Sequence, residues 1–153
     1  MRIHDRALRV IGGGTAGLVA LAIGFATTTL AATVPARGGP SFTGVQVAAG
    51  QHVYTQSCQG CHGARLEGLR GPPLLGADFL HNWAGGEHTA SDIYDYISKG
   101  MPLGKPGSLS QAQYLSVLAY VLSQNGYQLG LKALTPATLN VTLALPEKTG
   151  GAP

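Results

Sequence analysis

The sequence predicts an all-α domain in which short helices are joined by long, glycine-rich loops. Three observations predict it. Apolar residues recur at helical spacing in two stretches that open on capping signatures, Thr89 with Asp92 and Ser110 with Gln113. No strand pattern of weight occurs before Leu139. The only two cysteines stand in the run Ser57-Cys58-Gln59-Gly60-Cys61-His62, a C-x-x-C-H arrangement that attaches c-type haem. Short helices bury little surface by themselves, and a flat apolar porphyrin among them completes the core.

The chain of 153 residues opens with Arg2, Arg6 and Arg9, followed by an uncharged stretch from Val10 to Ala36 that is most apolar between Gly17 and Ala32. Residues 1–36 therefore read as an export signal or an uncleaved membrane anchor. Small-residue cleavage sites follow Ala32 and Ala36, while the 23 residues from Val10 to Ala32 are long enough to span about 30 Å of hydrocarbon as a helix. Both readings put the arginines on the cytoplasmic side and the rest on the periplasmic side, soluble or anchored. Residues 37–44, with three glycines and a proline, read as a flexible linker.

From Val45 to Ser57, the apolar residues Val47, Val53 and Tyr54 fall at roughly helical spacing, interrupted by Gly50. This helix leads into the cysteine motif. Two thiols three positions apart can each add to one vinyl group of the porphyrin, and the following histidine then ligates the iron. Other uses of the pair fit less well. A redox dithiol belongs in an alternating strand and helix pattern, which is absent here. A zinc site needs a fourth ligand, and only His81 or His88 in a distant loop offers one. A disulfide across two residues would close a very short loop and leave His62 without a role.

Gly63 to Gly76 contains Gly68, Gly71, Pro72 and Pro73 and reads as a loop wrapped around the porphyrin edge. Thr89 caps a short helix carrying Ile93, Tyr96 and Ile97, which Gly100 ends. Ser110 opens the clearest helix, Gln111 to Gln124, with an apolar stripe of Tyr114, Val117, Leu118, Val121 and Leu122 and a stop at Asn125-Gly126. The last segment, 128–153, alternates around Leu139, Val141, Leu143 and Leu145 and reads as a strap on the domain or on a partner subunit.

Met1 belongs to the export segment, so Met101, 39 residues after His62 and followed by Pro102, is the one methionine left to the folded domain. A thioether on the sixth position favours ferrous iron and raises the potential. His52, His81 and His88 are the other candidates, each more simply a solvated or loop residue, and any of them on the iron would lower it.

The formal charge of +3 does not indicate a basic partner. Arg2, Arg6 and Arg9 with Asp5 supply +2 of it, and two haem propionates make the exported domain more negative still. Nucleic acid binding is not supported.

With the cysteine motif and Met101, the stretch from about Val45 to Tyr127 resembles the class I c-type cytochromes. The resemblance implies one covalently bound haem c, thioether bonds from Cys58 and Cys61, His62 as proximal and Met101 as distal iron ligand. Gly71-Pro72-x-Leu74 matches the loop whose proline carbonyl accepts the histidine ring N–H, so Pro72 would orient His62. Trp83 is similar to a tryptophan that contacts a propionate, and is otherwise a core aromatic. Gly50 and Tyr120 match the crossing of the first and last helices. A narrower similarity lies in Met101-Pro102-x-x-x-Pro106-Gly107-Ser108-Leu109-Ser110, then Tyr114, Ala119-Tyr120 and Asn125-Gly126. It is to the cytochrome subunits of bacterial quinoprotein alcohol dehydrogenases and related periplasmic dehydrogenases. Those are often fused to the dehydrogenase or carry three haems, whereas this chain has one motif.

The expectation is an electron-transfer protein and not an enzyme. It would accept electrons from a periplasmic dehydrogenase for the respiratory chain, or act as a free-standing carrier to a terminal oxidase. A haem enzyme or gas sensor would need an open iron position, which Met101 would block.

Overall fold

In a computed structural model, residues 38–145 are described; residues 1–37, on which the expectation of an export signal or anchor falls, and residues 146–153 lie outside them. The helices run in the order α1 Gly44–Ser57, α2 Gln59–His62, α3 Ala77–Trp83, α4 Ala90–Gly100 and α5 Gln111–Gln124, with a 3-10 turn at Pro136–Thr138. No strand forms among the described residues; there is one isolated antiparallel bridge, Thr89 with Thr142. None of these helices is long and apolar enough to cross a membrane.

Three helices begin on capping boxes. Thr43 with Gln46 opens α1, Thr89 with Asp92 opens α4 and Ser110 with Gln113 opens α5, each satisfying backbone N–H groups that the first turn leaves unpaired. At the end of α5 the Gly126 N–H bonds to the Ser123 carbonyl and the Tyr127 N–H to that of Leu122, with Gly126 at positive φ. That is a Schellman stop, which needs glycine for its left-handed backbone. Gly100 does not end α4 in this way. It is the last helical residue, and Met101 departs in extended conformation. Pro102 follows with no N–H to continue the ladder.

The helix α1 crosses α5 through Gly50. This glycine does not interrupt the apolar face but lies at its centre, three and four residues before the buried Val53 and Tyr54. A Cβ on Gly50 would collide with the backbone carbonyl of Ser116 and lie 2.9 Å from Tyr120 Cβ. The missing side chain lets the backbones meet, and the rings of Tyr54 and Tyr120 pack beside them at 5.4 Å.

The third helix, α3, has no counterpart in the sequence reading. Its N-cap, Gly76, provides no side chain, and its hold on the protein is tertiary: Phe79 is buried, and the Gly76 N–H donates to Asn125 Oδ1 at 2.9 Å.

Residues 38–44 correct the expectation of a flexible linker. Phe42 is wholly buried, its carbonyl accepts from Gly130 N–H at 2.8 Å, and the Tyr127 ring lies so close to Gly39 that a Cβ there would be 2.7 Å from Cδ1. The glycines serve close approach.

The described part of the C-terminal segment, residues 128–145, packs on this same chain. Leu134, Leu139 and Leu143 are buried, and Gln46 binds both the N–H and the carbonyl of Leu134. Backbone bonds tie Ala90 to Val141, Ser91 to Leu139, Gly85 and His88 to Leu143, and Ala144 to Gly38. The two-residue alternation does not become a strand. Leu139 and Leu143 point inward while Val141 and Leu145 are exposed, because the segment runs across helix ends with no sheet beside it.

Candidate haem site

The cysteines sit where α1 hands over to α2. Cys58 caps both helices, donating its N–H to the Tyr54 carbonyl, and the three-residue offset, close to one helical turn, brings Cys61 to the same wall. As a free thiol, Cys58 is pushed up to about 11 by burial first and by its neighbour Cys61 second. Tyr54 is likewise pushed up by burial, and its hydroxyl donates to the Gly63 carbonyl at 2.6 Å, closing the turn after the motif.

His62 is buried, and its Nδ1 lies 2.8 Å from the Pro72 carbonyl. A carbonyl only accepts, so Nδ1 carries the proton and Nε2 keeps its lone pair. Gly71 lies flat against this ring: a Cβ there would be 2.8 Å from His62 Cε1. The loop holding Pro72 is bound back to the motif by Gly68 N–H to the His62 carbonyl and Gly71 N–H to that of Cys61.

Cys58, Cys61, His62, Pro72, Trp83 and Met101 all line one cavity of about 840 Å³. Its remaining wall is mainly apolar: Leu74, Phe79, Ile93, Ile97, Leu109, Val117, Leu118 and Val121 among others. That size lies within the roughly 300–1,000 Å³ of pockets that enclose large ligands. His52, His81 and His88 do not line it. His52 and His81 are exposed, and the His88 ring meets Trp83 edge-on at 5.4 Å. Trp83 also packs on Tyr96, so it is at once a cavity wall and part of an aromatic group.

Met101 is held at its backbone. Its N–H donates to the Ile97 carbonyl at 2.9 Å, and its carbonyl accepts from the Tyr114 hydroxyl at 2.7 Å. The sequence placed Tyr114 in an apolar stripe and in a family motif, with no sign of a bond to Met101. It left Arg70 and Asn82 unmarked, two polar residues lining the cavity, Arg70 being its only cation, and it marked Asn125 as a helix stop and part of a family motif without its role of anchoring the loop from behind. Such roles have no local signal, since each depends on a partner far along the chain.

Two thiols suited to bond the vinyl groups of a porphyrin share this cavity with an imidazole and a thioether, nitrogen and sulfur donors of the kind that bind haem iron, and the set suits a covalently attached haem. Fold and site together are those of a class I c-type cytochrome. More narrowly, residues 45–121 match the family described as cytochrome c oxidase, cbb3-type, subunit III, and the chain belongs to it. Haem c is accordingly its cofactor, and electron transfer is the activity of its class.

The chain is similar to thiosulfate dehydrogenase of Stutzerimonas stutzeri (strain A1501), 38% identical over 86 residues covering 52% of this chain and 28% of that protein. It is similar to the cbb3-type cytochrome c oxidase subunit CcoP of Azospirillum sp. (strain B510), 34% identical over 99 residues, 54% of this chain and 32% of that one. Cytochrome c-551 of Bacillus subtilis (strain 168) is 36% identical over 94 residues, 55% of this chain and 78% of the relative. The chain thus spans about a third or less of the first two.

Proposed function

We propose that this chain is a single-haem electron carrier or electron-transfer subunit outside the cytoplasmic membrane, with Cys58 and Cys61 bonded to the haem, His62 its proximal ligand and Met101 its distal ligand. The observation that carries this is that Met101 lines the same cavity as Cys58, Cys61 and His62, whereas none of the other candidate ligands does. When bound, the haem supplies a one-electron couple between ferric and ferrous iron.

The protein's own groups set the conditions. Pro72 holds the His62 ring in one tautomer and orientation and increases its basicity toward the metal. Tyr114 and Ile97 fix the backbone of Met101, so that the thioether is presented without reorganisation. Arg70 and Trp83 line the cavity and would offer the haem's propionates a cation and an N–H donor. The apolar wall excludes water and lowers the local dielectric, which disfavours the extra charge of the ferric state. No catalytic acid, base or nucleophile is required.

Residues 1–36 serve export or anchoring. The donor is a periplasmic dehydrogenase and the acceptor lies in the respiratory chain. Similarity to a dehydrogenase, to an oxidase subunit and to a small cytochrome supports a part placed between such enzymes.

The test is the far-red charge-transfer band of a methionine-bound ferric haem. Its presence in the parent, its loss in Met101→Leu and a fall in potential on the order of hundreds of mV agree with the assignment. An unchanged spectrum in Met101→Leu overturns it.

A further inference from the structure

We propose that Leu143 and the strap around it, residues 139–144, are positioning elements for the haem: they hold Trp83 against the cavity and thereby raise the potential. The inference rests on the reading above that haem fills this cavity. It gives a role to a segment beyond residues 45–121, the part of the chain that matches the family.

Trp83 is the last residue of α3 and lines the cavity, and the chain after it has little stiffness of its own. Gly85 and Gly86 follow, both at positive φ, and a Cβ on Gly86 would meet nothing within 4 Å. Glycine loses more freedom on ordering than any other residue, so a wall residue beside two of them needs an outside hold.

The strap is that hold. Gly85 N–H donates to the Leu143 carbonyl at 2.9 Å and Leu143 N–H to the His88 carbonyl at 3.3 Å, while Ala90 N–H donates to the Val141 carbonyl and Ser91 N–H to the Leu139 carbonyl, each at 3.0 Å. Among the described residues, the backbone–backbone bonds of residues 84–91 go to these strap residues or to the adjoining turns of α3 and α4, and nowhere else. The Leu143 side chain is wholly buried, which fixes the strap in register while its two backbone groups clamp the loop.

The clamp reaches Trp83 by two routes. Gly85 is two residues along the chain, and the ring of His88, whose carbonyl Leu143 holds, meets the Trp83 ring edge-on at 5.4 Å. Trp83 is the one tryptophan of the chain. Loosening it admits water to the haem and withdraws an N–H donor from the propionates. Both effects favour the ferric state, which carries one more positive charge, so both lower the potential.

The test uses the full-length holoprotein and compares Leu143→Ala with Leu134→Ala. Leu134 is buried in the same C-terminal segment, but its backbone is held by Gln46 of α1 and makes no backbone bond to residues 84–91. The midpoint potential, the far-red methionine band and hydrogen exchange at Gly85 and Ser91 are read. In Leu143→Ala the potential should fall and exchange at both amides should quicken by about tenfold or more, with the methionine band kept. Leu143→Ile should stay close to the parent, and Leu134→Ala should keep the parent's potential. If Leu143→Ala does not incorporate haem, Leu143→Val takes its place, with smaller changes in the same directions. Action through Trp83 is read from a cycle: in a Trp83→Phe background, Leu143→Ala should lower the potential by less than it does in the parent. An unchanged potential in Leu143→Ala, an equal fall in Leu134→Ala, or a fall undiminished by Trp83→Phe overturns the proposal. A parent without the methionine band overturns the distal ligand assignment alone, and the potentials and exchange rates still decide the strap.

Discussion

The hydroxyl of Tyr114, on the first turn of α5, donates to the backbone carbonyl of Met101, 13 residues earlier, at 2.7 Å. The bond links the loop that presents the methionine to the most buried helix of the domain. The Tyr94 and Tyr114 rings meet edge to face at 6.4 Å, which leaves the hydroxyl little freedom to turn elsewhere. Tyr114→Phe keeps the ring and loses this bond. The domain should lose about 1 kcal/mol of stability, and the far-red methionine band should fade at lower temperature than in the parent. The band followed against temperature checks this, and a melting profile of the band identical to the parent's contradicts it.

At the crossing of α1 and α5, Gly50→Ala puts a methyl group into the Ser116 carbonyl. Backbone cannot rotate away as a side chain can, so the helices must separate. A loss of about 1–3 kcal/mol or more is expected, read as a shift in the denaturant midpoint of the holoprotein. Gly60→Ala is the control, because nothing stands within 4 Å of a Cβ there.

Asn125 is buried and makes three bonds through one side chain: it accepts from Gly76 N–H and donates to the carbonyls of Leu74 and Val121, all at 2.9 Å. Asn125→Leu preserves volume and orphans the loop's partners. Leaving such groups unpaired costs about 1–3 kcal/mol. Hydrogen exchange should rise at Gly76 and through α3 before it rises in α1.

Acid should weaken the start of α4. The Asp92 carboxyl is held below its usual value, first by the Thr89 backbone N–H and then by the Thr89 hydroxyl. A depressed folded-state value means that the unfolded chain binds the proton more readily, so this contribution is present above the unfolded value of about 3.9 and is lost as pH falls below it. Glu67 is lowered in the same direction by the N–H groups of Glu67 and Arg65. The thermal midpoint should drop on going from about pH 5 to about pH 3, and Asp92→Asn should show a smaller drop than the parent.

Arg70 lines the cavity as its one cation, and Arg70→Gln removes a charge that opposes oxidation of the iron. The potential should fall by tens of mV, on the order expected for one charge at a partly solvated distance. A titration against redox mediators measures it.

Much of this molecule was legible from local pattern. The capping boxes at Thr89 and Ser110 and the stop at Gly126 involve groups within five residues of one another, so spacing alone reveals them. The same is true of the cysteine motif. The pairing of Gly50 with Tyr120 was legible only through family resemblance, since the two residues are distant in the chain. The short helix α3 was not legible, because its start is held by Asn125 and its centre by burial of Phe79. Residues 38–44 misled for a related reason: glycine and proline signal freedom when alone, yet here they allow Tyr127 and Gly130 to close upon Phe42.

By itself the sequence determined the cofactor chemistry, since a thiol pair and an adjoining imidazole are covalent and local, and it determined where most helices begin and end. Only the tertiary structure decided which candidate ligands share the cavity, that Tyr114 holds the backbone of Met101, and that residues 128–145 close on their own chain. Those relationships join residues that no periodicity connects. They exist because burying apolar surface brings distant backbone groups together, and each of those groups must then find a partner out of water.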